Sequence, residues 1–181
     1  MAPASGPGRH WFHHCNRQLW LAAYVVDSDH FTANLPSKRM AADCLLTDGA
    51  GRLLVLNPPY KSTWDIPGGI VERDEPPRRA ARREVREEIG LDVEPGLLLA
   101  VDWIARNGDF TEVIAFLFDG GVLAATDVKH IVADPSEVRC FRFVALDEAK
   151  RLLDGELFAR VVAGLAARGS GSTAYLENGL A

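Results

Sequence analysis

Glu84, Glu87 and Glu88 are spaced i, i+3 and i+4 within a charged run from Gly69 to Leu91. On a helix that spacing places all three on one face. Such a face gathers carboxylate oxygens at one point. Hard divalent cations take oxygen ligands of this kind, and Mg²⁺ usually completes its shell with substrate phosphates. The chemistry implied is metal-assisted attack on a phosphate-containing substrate. The bland reading is a solvated helix face, since Arg83–Glu87 pairs are ordinary there. Repulsion does not decide between them. In a cleft of effective dielectric near 20, carboxylates ~6 Å apart cost roughly 3 kcal/mol per pair. On an open helix the cost is only tenths of a kcal/mol. In a cleft only cations offset it, and Arg83 and Arg86 supply part of that counter-charge.

The three acids need a helix to carry them, and the spacing predicts one over Pro77–Ile89. Pro76-Pro77 marks its start, and Asp74 or Glu75 is the acidic cap. Ala81, Val85 and Ile89 form its apolar line, and Gly90 ends it as a left-handed cap. Gly68-Gly69, just upstream, suits close approach of backbone to metal or phosphate. Met40–Leu46 and Arg52–Leu56 read as a hairpin around Asp48-Gly49-Ala50-Gly51. Trp64–Pro67 is a short extended piece. Leu97–Arg106 and Phe110–Phe118 read as strands around Asn107-Gly108, a hairpin signal. Asp119-Gly120-Gly121 is expected to turn the chain. A loop with one edge strand follows over 122–136, then a strand over Val138–Val144. Asp147–Leu153 and Glu156–Ala167 read as helices, the second with Leu157, Val161, Val162 and Leu165 on one face. A mixed sheet with helices packed on its faces follows, an α/β class.

The 181 residues fit one domain with excess at the ends. Residues 1–37 read as a partly disordered extension, 38–168 as the domain and 169–181 as a loose tail. Apolar residues make up 48%, enough for a sizeable core. The net charge of −5 attracts neither nucleic acid nor anionic lipid as a whole. A phosphate substrate must then be met locally. Cys15, Cys44 and Cys140 are scattered and odd in number, which argues against a disulfide framework or a zinc site. A reducing cytoplasm fits. No apolar run is long enough to span a membrane. Leu19–Val26 is short and runs into Asp27-Ser28-Asp29-His30, so no signal peptide is expected. His10, His13, His14 and Cys15 are read as part of the extension rather than as a metal cluster.

The segment from Gly69 to Leu91 resembles the Nudix box. Its fixed positions are filled by Gly69, Glu75, Arg83, Glu84, Val85, Glu87, Glu88, Gly90 and Leu91. A pattern this long is far more specific than a lone glycine motif. The resemblance implies a Nudix-like α/β/α sandwich that hydrolyses a nucleoside diphosphate linked to another moiety. It implies Mg²⁺, with Mn²⁺ as a substitute, held by Glu84, Glu87, Glu88 and the Gly68 carbonyl. Glu75 and Gly69 then act behind these ligands, and Arg83 orients the glutamates. Water attacks a phosphorus in line. The general base is Glu87 or Glu88, or a carboxylate from the loop before the last strand, where Asp134 and Glu137 are candidates and Glu137 is preferred. Trp64, Trp103 and Arg106 are candidate substrate contacts, the tryptophans equally suited to core or cleft wall; Tyr60 and Lys61 are loop residues of the same standing. The partner is a small nucleotide, with neither membrane nor nucleic acid, and homodimers are common in the family. Asp74 stands where a glycine is common, and Pro76 where a small polar residue is usual. Marks of the ADP-ribose, diadenosine, NADH and coenzyme A subfamilies are missing, which leaves the substrate open. Two rivals remain: a module that senses a nucleotide diphosphate without cutting it, and a diphosphate-ester isomerase using a poised Cys or Glu.

Overall fold

The central strand of the sheet alternates its side chains between two cores. In the computed structural model, which describes residues 35–105, 108 and 111–181, β1 (Arg39–Asp48) is paired on both sides. It runs antiparallel to β2 (Leu53–Asn57) and to the short β3 (Gly68–Ile70), and parallel to β5 (Val113–Leu123). Leu45 on β1 packs into one core with Leu53 and Val55 of β2. Cys44 and Leu46 join Leu54 and Leu56 in the other. The period of two that separates these sets is that of a strand buried on both faces.

Helices cover each face. Helix α1 (Pro77–Ile89) lies against β1, β3 and β5, with Val85 and Ile89 fully buried in the Cys44–Leu46 core. On the opposite core, α3 (Leu146–Leu152) contacts β2, and α4 (Gly155–Ser170) contacts β4 (Leu98–Ile104) and β5. Asp154 caps α4 by accepting from the Leu157 N–H at 2.8 Å. The strand order is β6-β2-β1-β5-β4-β7, with β3 beside β1; β6 is Cys140–Val144 and β7 is Ala174–Glu177. The result is a mixed sheet with helices packed on both faces, as the hairpins and helices imply, in the α/β/α sandwich that the resemblance implies.

Four local expectations are corrected. Neither Asp74 nor Glu75 caps α1; Pro76 occupies the cap position and has no side-chain acceptor. Glu75 instead accepts from the Glu72 N–H at 3.0 Å and turns toward Arg83. Asp119-Gly120-Gly121 does not end a strand. β5 runs on to Leu123 through a register shift opposite Leu45/Leu46. A Cβ on Gly120 would lie 2.6 Å from Cys44 Sγ and from Leu46 Cδ2, so a glycine lets the bulge sit against the core. Residues 124–136 hold no edge strand, only the short helix α2 (Ala125–Val128). The loose tail is also absent: α4 continues to Ser170, and β7 adds in parallel to β4. β7 covers an edge that would otherwise leave a row of unpaired backbone groups, and it buries Leu176 to 1% exposure. Residues 1–34, together with Arg106, Asn107, Asp109 and Phe110, lie outside the described residues, and with them the expectations placed there.

Candidate functional site

The rotation of α1 is set by its apolar line. Ala81, Val85 and Ile89 are each 0% exposed. Locking that line on the sheet turns Glu84 and Glu88 toward β3 and leaves Glu87 at the rim. Glu88 is buried, and its Oε2 accepts the Gly68 N–H at 2.9 Å. Glu84 is half-buried over Gly69. A Cβ on Gly69 would stand 2.6 Å from Glu84 Cδ and Oε1. The double glycine therefore has a spatial cause: the carboxylate needs the volume a side chain would take.

One guanidinium ties the acids together. Arg83 donates to both oxygens of Glu75 at 2.9 Å, the bidentate geometry that suits Arg to carboxylates. Its Nη1 is shared by Glu84 Oε1 and Glu87 Oε2, each at 2.8 Å. Its Nη2 also reaches the Ile70 carbonyl at 3.1 Å. The Arg83 contact holds the Glu75 carboxyl below its usual range.

The three glutamates share a side of the helix, but their oxygens do not meet at one point. Arg83 takes Glu84 and Glu87, while the Gly68 N–H takes Glu88. Among the described residues no three His, Cys, Asp or Glu side chains form a ready cation cluster. Like charges in a half-buried setting repel, and separate donors hold them apart. The electrostatics still fit a cation. Burial pushes the Glu88 carboxyl up to about 9, with Glu84, Asp65 and Asp43 adding to the rise and the Gly68 N–H opposing it. Burial also raises Glu84, against the pull of Arg83 and with Glu87 and Glu137 reinforcing it. Buried carboxylates driven up in this way are the ones a divalent cation would return to the charged form. An all-oxygen donor set on a helix and a glycine backbone suits Mg²⁺ or Mn²⁺ rather than a soft metal.

The other candidates scatter. Glu137 is exposed on a loop pinned to the end of α1, where Asp134 N–H donates to the Glu88 carbonyl and Val132 N–H to that of Ile89. That anchoring brings Glu137 within electrostatic reach of Glu84. The Asp134 carboxylate is used within its own turn, accepting from Ser136 Oγ at 2.6 Å. Trp64 belongs to the opposite core, half-buried, with the Arg142 guanidinium 5.7 Å over its ring. Trp103 lies on β4, two strands from β1, where its carbonyl accepts the Asn178 N–H at 2.8 Å. Arg106 lies outside the described residues. Lys61 pairs with Asp65 near Glu88. A cavity of about 600 Å³ flanks the outer side of α1, where Arg82 is paired with Asp92 and Glu94. For the isomerase rival, Cys44 is a poor candidate: burial pushes its thiol up to about 12, and Cys140 sits exposed on the edge strand β6.

Sequence reasoning passed over Asp43, Asp65 and Arg160. Asp43 lies in the middle of an otherwise apolar strand, and Arg160 on the inner face of α4; they are 8% and 5% exposed. A charge inside an apolar run is rarely buried unless paired, and that signal was there to read.

Residues 37–163 match the family model described as the NUDIX domain. A MutT-like protein of Streptomyces ambofaciens is 45% identical over 108 residues, covering 58% of this chain and 68% of that protein. An RNA pyrophosphohydrolase of Pseudomonas fluorescens is 33% identical over 76 residues, covering 42% of this chain and 43% of that one. The crystal structure of a MutT protein from Methanosarcina mazei superposes with a TM-score of 0.62 at 24% identity, over 74% of this chain and 98% of that one, a likeness of fold.

Proposed function

Because the chain belongs to the NUDIX family of pyrophosphate-bond hydrolases, we propose that it uses a divalent cation to hydrolyse the diphosphate linkage of a nucleoside diphosphate derivative. The observation that carries this reading is the pair Glu84 and Glu88, packed against the backbone of Gly68 and Gly69 with their carboxyls driven up by burial. Glu84, Glu87, Glu88 and the Gly68 carbonyl would hold Mg²⁺, with Mn²⁺ as a substitute. A cation there supplies Lewis acidity, neutralising charge on the diphosphate and making water a better nucleophile. Arg83 sets the directions of Glu84 and Glu87, and Glu75 fixes Arg83 from behind. Glu137, presented on the anchored loop, takes the proton from the attacking water. The products are a nucleoside monophosphate and a phosphate-bearing partner, or pyrophosphate from a triphosphate.

The substrate is a small nucleotide; no helix among the described residues is long and apolar enough to cross a membrane. The free thiols of Cys44 and Cys140 fit a cytoplasmic setting. The test is a panel of nucleoside triphosphates, nucleotide sugars and dinucleotides, each incubated with Mg²⁺ or with EDTA and separated by chromatography. Monophosphate release with Mg²⁺ and none with EDTA is expected. Tight binding of a nucleotide diphosphate without release under any metal would favour a sensing module and overturn the reading.

A further inference from the structure

Two buried carboxylates share one buried guanidinium beneath the site. Arg160 of α4 donates from Nη1 to Asp43 Oδ2 at 2.9 Å and from Nε to Asp102 Oδ2 at 3.1 Å. Asp102 is 0% exposed, and its other oxygen accepts the Gly179 N–H at 3.2 Å. Nothing in the proposed chemistry uses this cluster. Burying three charged groups carries a large desolvation cost, which close pairing only offsets.

Asp43 connects the cluster to the site. In the β1–β3 ladder Asp43 is the register partner of Gly68. Gly68 has φ of +150°, and a Cβ there would lie 2.6 Å from both Asp43 Cα and Asp43 Oδ1. The Gly68 α-carbon therefore packs without room to spare against Asp43, its main chain and its carboxylate oxygen Oδ1 both, and against the Ala42 carbonyl. The Gly68 N–H in turn donates to Glu88 Oε2 at 2.9 Å. Any shift of the Asp43 side chain moves the surface on which Gly68 lies.

We propose that Arg160 is a positioning residue for the cation site: it anchors Asp43, Asp43 seats Gly68, and Gly68 orients Glu88. Without its guanidinium, Asp43 is a buried carboxylate close to Asp65 and Glu88, and the nearby Lys61 is paired with Asp65. Asp43 then turns away from the position on which Gly68 is seated. Asp102 shares Arg160 but ties it to the Gly179 segment, away from Gly68. The two arms of the guanidinium thus have separable tasks, one for the site and one for the fold.

The inference rests on the proposed cation site, and Mn²⁺ binding tests it apart from turnover. Free Mn²⁺ is followed by electron paramagnetic resonance in the 181-residue wild-type chain and in Arg160→Met, Arg160→Lys, Asp43→Asn and Asp102→Asn. Loss of a residue supporting metal ligands typically weakens metal binding ~10–100-fold, and that is expected for Arg160→Met and Asp43→Asn. Their kcat should fall in parallel with KM little changed. Arg160→Lys keeps the charge without the planar fork and should fall between wild type and Arg160→Met. Asp102→Asn should lower the melting temperature while its Mn²⁺ affinity stays within about twofold of wild type, being outside the supporting shell. If Arg160→Met does not fold, Asp43→Asn, nearly isosteric, decides alone. Variants at Arg160 and Asp43 that melt earlier yet bind Mn²⁺ like wild type would overturn the proposal, as would wild-type protein that binds no Mn²⁺. Wild type that binds Mn²⁺ but cuts no diphosphate would instead sink the hydrolase reading and leave the positioning role standing.

Discussion

Glu88→Gln is expected to lose about 10³-fold in kcat, roughly 4 kcal/mol of transition-state stabilisation, while the protein without metal becomes more stable. The two effects share one cause. Glu88 is 8% exposed, and burial lifts its carboxyl from 4.5 to about 9. A carboxyl whose folded value is raised binds its proton more tightly in the folded state. Its contribution to stability is therefore present below the unfolded value of 4.5 and is lost as pH climbs toward 9. Glutamine keeps an acceptor for the Gly68 N–H and needs no counter-charge. In EDTA, the variant's advantage in melting temperature should thus be small near pH 5 and grow toward pH 9, by ~2–4 °C for each kcal/mol relieved. Added Mg²⁺ should stabilise wild type and leave the variant unmoved. Calorimetry with and without EDTA across that pH range checks both halves. A variant that is active, or less stable than wild type in EDTA at pH 8, would show that Glu88 is an ordinary structural acid.

Gly69→Ala should separate the site from the fold in the opposite way. The added methyl would meet Glu84 Cδ and Oε1 at 2.6 Å and Oε2 at 2.9 Å. These atoms end a flexible side chain, so the helix can keep its place while the carboxylate swings aside. Glu84 would then leave the cation position. Misplacement of a reacting arrangement by ~1 Å costs about 100-fold, and a fall in kcat of that order is expected. The circular dichroism spectrum should be unchanged, and the Mg²⁺ concentration for half activity should rise. Full activity at ordinary Mg²⁺ would mean that the Glu84 carboxylate is not needed where it now lies.

What the sequence made legible follows a physical line. Helix α1 was readable to its bounds, Pro77–Ile89, because a proline start, an apolar line and a glycine at φ +73° all act within a few residues. Asp74 also adopts the left-handed conformation, at φ 61°, that its replacement of a glycine implies. Features fixed by distant neighbours were not readable. The Gly120 bulge depends on Cys44 and Leu46 across the sheet, and a local rule read it as a turn. β7 exists because β4 has an edge to cover, which residues 169–181 do not announce by themselves. The Arg160 bridge spans 117 residues to Asp43 and leaves only the oddity of a charge in an apolar run. The spacing of the glutamates gave a shared face, but not the way Arg83 and Gly68 divide them.

The most direct test is a crystal of the wild-type protein grown with Mn²⁺ and a non-hydrolysable diphosphate, with data collected for anomalous scattering. A manganese peak bound by oxygens of Glu84 and Glu88 is expected, at about the 2.0–2.1 Å of small hard cations or slightly longer, with the diphosphate completing its shell. A diphosphate bound with its metal elsewhere, and Glu84 and Glu88 still held by Arg83 and Gly68, would contradict it.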